Sequence, residues 1–175
     1  DSENQHAQRV SGLSAKLAEG MNLERHQVDE IRLLGLIHDI GKIAVREETL
    51  AKETPLTLPE WTEIKRHSEI GYKILSASQE YMQIAEHVLH QHERWDGTGY
   101  PKGLRGSEIS IQSRILAVAD AYDAMTSPRV YGKTLTHQEA LAELRRFSGI
   151  QFDPSVVVSF GTLEIEEERQ SNSQK

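Results

Sequence analysis

Apolar residues recur at steps of three and four along most of this chain, and no segment alternates apolar with polar for more than a few residues. Val10, Leu13 and Leu17 mark one such stripe, and Val28, Ile31, Leu34 and His38 mark a second, with the connection near Gly20 to Glu24. A chain patterned this way buries its apolar surface by packing helix against helix. The sequence from Thr57 to Glu60 supplies a cap, an early proline and an acidic first turn, opening a third helix with Ile64, His67, Gly71 and Ile74 on one face. Ile84 and Val88 indicate a fourth helix, ending before the glycine-rich loop at 95–106. A fifth runs from Ser113 to Thr126, a sixth from about His137 to Phe147, and Asp153-Pro154 opens a short last one. The expectation is an all-α, compact single-domain helical bundle with about six or seven main helices, spanning residues 1–163. The segment 164–175 has almost nothing apolar to bury and reads as a disordered polar tail.

Charge and composition narrow the function. A net charge of −7 speaks against general nucleic-acid binding, although positive side chains gathered locally could still hold a small anion. With no cysteine, disulfides, zinc ribbons and thiol chemistry are excluded, which suits a cytoplasmic protein. No apolar run reaches the roughly 18 to 20 residues of a membrane span. The chain opens at Asp1 without methionine, as a piece of a longer parent carrying an N-terminal sensory module would.

Histidines stand where core residues are expected. His38 lies on the stripe of Val28, Ile31 and Leu34 with Asp39 next to it, His67 falls between Ile64 and Gly71, and His6 precedes Val10 by four. Asp120 ends the small-residue run LAVAD, and His92 leads into the loop. Taken singly, each has an ordinary reading as a hydrogen-bonded core histidine or a cap. Two polar groups ending an apolar stripe nevertheless need partners, because an unpaired buried carboxylate is costly. If the faces meet, His6, His38, Asp39, His67, His92 and Asp120 form one nitrogen and oxygen cluster from five segments. Imidazole and carboxylate without thiolate suit iron, manganese, zinc, cobalt or nickel.

The stretch HDIGK at 38–42 resembles the signature of the HD superfamily of metal-dependent phosphohydrolases, and HERWDGTGYP at 92–101 resembles the loop of its HD-GYP branch. The similarity continues through RHSEIGYKIL, GLRGSEI, RILAVADAYDAMTS and QFDP. The resemblance implies a bacterial phosphodiesterase that hydrolyses cyclic di-GMP to linear dinucleotide or GMP, using two divalent metal ions, most often iron or manganese. It implies that His6, His38, Asp39 and Asp120 hold one metal while Asp39 bridges to a second held by His67 and His92. Two cations roughly 3.5 to 4 Å apart would provide a bridging hydroxide and clamp the oxygens of an in-line displacement. By the same resemblance Lys42 meets the scissile phosphate, Arg129 grips phosphate through its planar fork, Asp123 supports the ligands, and Tyr100 shapes the loop, touches ligand or contacts a partner.

The chain departs from the family pattern at several points. Gln91 replaces the first of two adjacent histidines and reads as a weak ligand; His90 points about 100° away if the helix continues. Ser2 stands where some relatives carry a glutamate for a third metal, which favours a dinuclear site, or one full and one partial site. Gly132 replaces a basic residue, leaving Lys133 beside it to compensate. Two alternatives follow: a catalytically weakened domain that senses a cyclic dinucleotide or docks a diguanylate cyclase through its loop, and a hydrolase of another nucleotide such as cyclic GMP-AMP. A homodimer is compatible with either.

Overall fold

In a computed structural model, residues 2–128 and 133–163 are described, and they form a helical bundle. The tail at 164–175 lies outside the described residues. The helices are α1 (Ser2–Gly20), α2 (Arg25–Ile37), α3 (Glu47–Leu50), α4 (Leu58–Lys65), α5 (His67–Ser76), α6 (Met82–Leu89), α7 (Ile111–Thr126), α8 (His137–Arg146) and α9 (Pro154–Phe160). Among the described residues no strand forms, and one isolated bridge joins Ser148 to Phe152. The all-α expectation holds. No helix among them is long and apolar enough to cross a membrane.

Local chemistry sets the helix starts. Thr57 and Glu60 make a reciprocal capping box with Pro59 in the first turn of α4, and Thr136 with Glu139 does the same for α8. Ser110 caps α7 through the Ser113 amide, and Asp153 caps α9 through the Ser155 amide. The third sequence helix is two helices here. At Arg66 the amide reaches back three and two residues, to the Glu63 and Ile64 carbonyls, which breaks α4 from α5 and shifts the face that turns inward. Leu75 is consequently buried and Ile74 is exposed, contrary to the expected face.

Two apolar clusters form the core. Leu17, Ile31, Ile115, Val118, Leu144 and Phe160 pack α1, α2, α7, α8 and α9 together. Val10, Leu34, Leu75, Ile84, Val88 and Leu116 join α1, α2, α5, α6 and α7. Small residues let backbones meet closely: a Cβ on Gly35 would lie 2.5 Å from the Cα of Ser11, which fixes α2 against α1. Beyond α2 the chain tightens into a 3-10 turn at Ile40–Ala44, pressed on α5. This arrangement brings the end of α2, the starts of α1 and α5, the end of α6 and the last turns of α7 to one region.

Candidate metal centre

His38 sits at the C-terminal end of α2, where the apolar stripe of that helix drives it inward, and it is 1 % exposed. Its Nδ1 is 2.8 Å from the Gly35 carbonyl, and only a protonated Nδ1 can bond an acceptor there. His67 repeats the device on α5, with Nδ1 2.6 Å from the Ile64 carbonyl. Both rings are thereby oriented with Nε2 toward a common interior, the arrangement that outer partners impose on metal-ligating histidines. His6 presents Nε2 as well, because its Nδ1 lies 2.7 Å from Asp123 Oδ2.

Two groups of atoms face each other across Asp39. Its Oδ2 lies 3.3 Å from His38 Nε2 and 3.9 Å from His6 Nε2, while Oδ1 lies 3.9 Å from His67 Nε2. Asp120 Oδ1 completes the first group at 3.3 Å from His6 Nε2 and 3.9 Å from His38 Nε2. In the second group His92 Nε2 is 3.0 Å from His67 Nε2. With the His67 proton on Nδ1, either a proton or a cation must lie between those two nitrogens. All six residues expected to converge therefore do so, from positions as far apart as 6 and 120.

The donor set fits divalent cations. His38 Nε2 is buried without a hydrogen-bond partner, and the ligand atoms of His6, His38 and Asp39 lie within 4.8 Å of one another. Without a cation, protons do the balancing. The hydrogen bond with Asp120, helped by Asp123, pushes His6 up to about 9, and His38 is raised because Asp39 overcomes the opposing effect of burial. Burial works against the Asp39 carboxylate too, but the His38 and Lys42 charges hold it well below the usual carboxylate range. In the second group burial pulls His92 down to about 4 and lowers His67, so both imidazoles are neutral at pH 7 and have lone pairs to offer.

The remaining site residues are placed as follows. Lys42 Nζ donates to Asp39 Oδ2 at 2.7 Å. Tyr100 stacks on His92 with ring centroids 5.1 Å apart and planes 17° apart, and Lys65 Nζ lies 5.2 Å over the Tyr100 ring. Lys133 is exposed and pairs with Glu139 at 2.6 Å. Arg129 and Gly132 lie outside the described residues. Gln91 is buried, and its amide nitrogen donates to the His38 carbonyl at 2.8 Å. A cleft of about 290 Å³ opens beside the cluster, lined by Asn4, His6, Leu36, Asp39, Ile40 and Lys42 among others.

Three residues that the motifs left without a role contact the cluster's neighbours or its loop. Arg9 donates to both oxygens of Asp123, at 2.6 and 3.1 Å; its position three residues after His6 on one helix face was the available signal. Glu93, 4 % exposed, accepts from the Lys102 and Leu104 amides at 2.6 and 3.0 Å and so ties the glycine-rich loop to its stem. Lys65 has no sequence signal, since its contact with Tyr100 joins α4 to a distant loop. Asp123 itself lies 2.7 Å from His6 Nδ1. In Asp123→Asn the carboxylate that orients His6 is lost, and manganese affinity of the purified protein is expected to fall about 10- to 100-fold. Titration calorimetry reads this directly; an unchanged affinity would show that His6 needs no such support.

A family model described as "HD domain" matches residues 1–156. A cyclic di-GMP phosphodiesterase of Thermotoga maritima is 44% identical over 163 residues, covering 92% of this chain and 44% of that protein. The 3'3'-cGAMP-specific phosphodiesterase 2 of Vibrio cholerae is 36% identical, with 87% of this chain and 30% of that protein covered. The chain thus spans less than half the length of these curated relatives. A solved HDG"Y"P protein from Bdellovibrio bacteriovorus superposes with a TM-score of 0.73 at 19% identity over 90% of this chain and 51% of that one, a likeness of fold.

Proposed function

The chain belongs to the HD domain family, in its HD-GYP branch, and on that premise we propose that it is a metal-dependent phosphodiesterase opening cyclic di-GMP to the linear dinucleotide or GMP. The single observation that carries this reading is the placement of Asp39, one oxygen toward His6 and His38 and the other toward His67. That arrangement suits a carboxylate shared by two cations. His6, His38, Asp39 and Asp120 would hold one divalent ion, and His67, His92 and Asp39 the other, with iron or manganese the best match to nitrogen and oxygen donors. When bound, such a pair supplies a water-derived nucleophile at neutral pH and offsets charge on the phosphoryl oxygens.

The chain's own residues contribute binding and orientation. Lys42 places an ammonium 2.7 Å from Asp39, where it would meet a phosphodiester bound at the cluster and offset the negative charge that develops on its oxygens. Gly35, Ile64 and Asp123 hold the three imidazoles in the tautomer that frees Nε2. Tyr100 braces the face of His92, and Glu93 keeps the loop folded against its stem. The cleft is at the small end of the roughly 300 to 1,000 Å³ usual for ligand sites, so a dinucleotide would bury its reacting phosphodiester there and lay the rest along the rim. The same proposal gives Arg129 and Lys133 the phosphate contacts that the resemblance implies, with Lys133 exchanging its Glu139 partner for phosphate. A cytoplasmic setting belongs to the same proposal, since cyclic dinucleotides are made and used inside the cell.

Incubation with cyclic di-GMP and manganese or ferrous iron, followed by chromatography, tests the reading. Linear dinucleotide or GMP is expected, together with up to two metals per chain by elemental analysis. Tight binding without product in either metal would replace the enzyme by a sensor. The similarity to a cGAMP-specific enzyme favours a second substrate, cyclic GMP-AMP, and its faster turnover in the same assay would reassign the base preference.

A further inference from the structure

We propose that Gln91 is a positioning residue, fastening the His38–Asp39 turn to the end of α6. The inference rests on reading His38 and Asp39 as ligands. Gln91 is 5 % exposed and follows α6 by two residues. Its Nε2 donates to the His38 carbonyl at 2.8 Å and to the Val88 carbonyl at 3.2 Å. Two carbonyl acceptors can be served only by the NH2 side of an amide, so this contact fixes which way the side chain faces, with both hydrogens engaged.

The contact has a structural reason. The last carbonyls of a helix have no partner within it, and His38 caps the C-terminal end of α2. A buried carbonyl there must find a donor from elsewhere. Gln91 supplies it from a segment 53 residues away and in doing so sets the distance between α6 and the turn that carries both His38 and Asp39. His92 follows directly, so the strap also joins the two halves of the centre through the backbone. A neutral imidazole at position 91 has one N–H to give, and it could not hold both carbonyls. The family's histidine and this chain's glutamine therefore do different work at the same place.

Manganese titration of EDTA-treated protein tests this, with each variant measured well below its own Tm. Gln91→Glu keeps the size and adds a carboxylate but removes the donor. Positioning predicts about a tenfold or greater loss of manganese affinity. A ligand role predicts equal or tighter binding. Gln91→His is expected to bind no more metal per chain than the wild type, and with lower affinity; a higher count would overturn the proposal. Val157→Ala, in the other core cluster, supplies a destabilised control whose affinity should not change. If Gln91→Glu lowers Tm and leaves affinity intact, Gln91 is only structural and the proposal fails. Should Gln91→Glu not fold, Gln91→Met, which lacks the donor without adding charge, carries the same expectation. A wild type that binds no manganese would overturn the metal-centre reading and this inference with it, whereas a binding wild type with an unaffected Gln91→Glu overturns this inference alone.

Discussion

Gly41→Ala is expected to destabilise the fold by about 3 kcal/mol or more, at the top of what overpacking usually costs. A Cβ at this position would lie 1.8 Å from the His67 carbonyl oxygen and 2.7 Å from the Gly71 amide nitrogen. Both obstacles are backbone, so no rotamer change relieves them, and the turn at Ile40–Ala44 must lift away from α5. Tm should fall by roughly 6 to 12 °C at that cost for a domain of this size. The same movement separates Asp39 from His67, so metal content should drop with stability. Urea unfolding and elemental analysis of the purified variant read both effects. A variant with the wild-type Tm would mean that the close approach of the two backbones is not a feature of the folded protein.

The second large effect is on chemistry and spares the fold. Asp39→Asn keeps the shape of the side chain and removes its charge, and the proposed phosphodiesterase activity is expected to fall by on the order of a thousandfold or more, well beyond the 10- to 100-fold typical for loss of an outer supporting partner. Because its two oxygens face different histidines, this substitution should weaken both cation positions together. Asp120→Asn, whose carboxylate approaches only His6 and His38, should weaken one. The contrast is measurable as metals per chain in the two variants. Two tightly held metals in Asp39→Asn would remove the observation on which the proposed function stands.

The helical character of the chain was legible because it is a local property. Side chains at steps of three and four share a face, so Val28, Ile31, Leu34 and His38 announced an amphipathic helix with a histidine on its inner side, and His38 is indeed buried there. The chemical kind of the site was legible for a related reason: a stripe that ends in His38-Asp39 requires partners, whatever the fold. The break at Arg66 escaped notice because both flanking helices carry the same residue types, and only the hydrogen-bond reach of one amide distinguishes two short helices from one long one. Glu93 escaped because its partners are backbone amides, which every residue possesses.

What the sequence determined by itself was the helical character, the inward stripe that ends at His38, and the nitrogen and oxygen donors the chain carries, since periodicity and side-chain chemistry are written position by position. Which of them meet was decided only by tertiary structure. The contact of His6 with Asp123, the three imidazoles turned by Asp123, Gly35 and Ile64, the two-sided placement of Asp39, and the Gln91 strap on His38 all depend on how helices are set against one another to within about an ångström. That setting comes from close backbone approaches at Gly35 and Gly41, and no local pattern encodes a distance between segments that the chain separates by tens of residues.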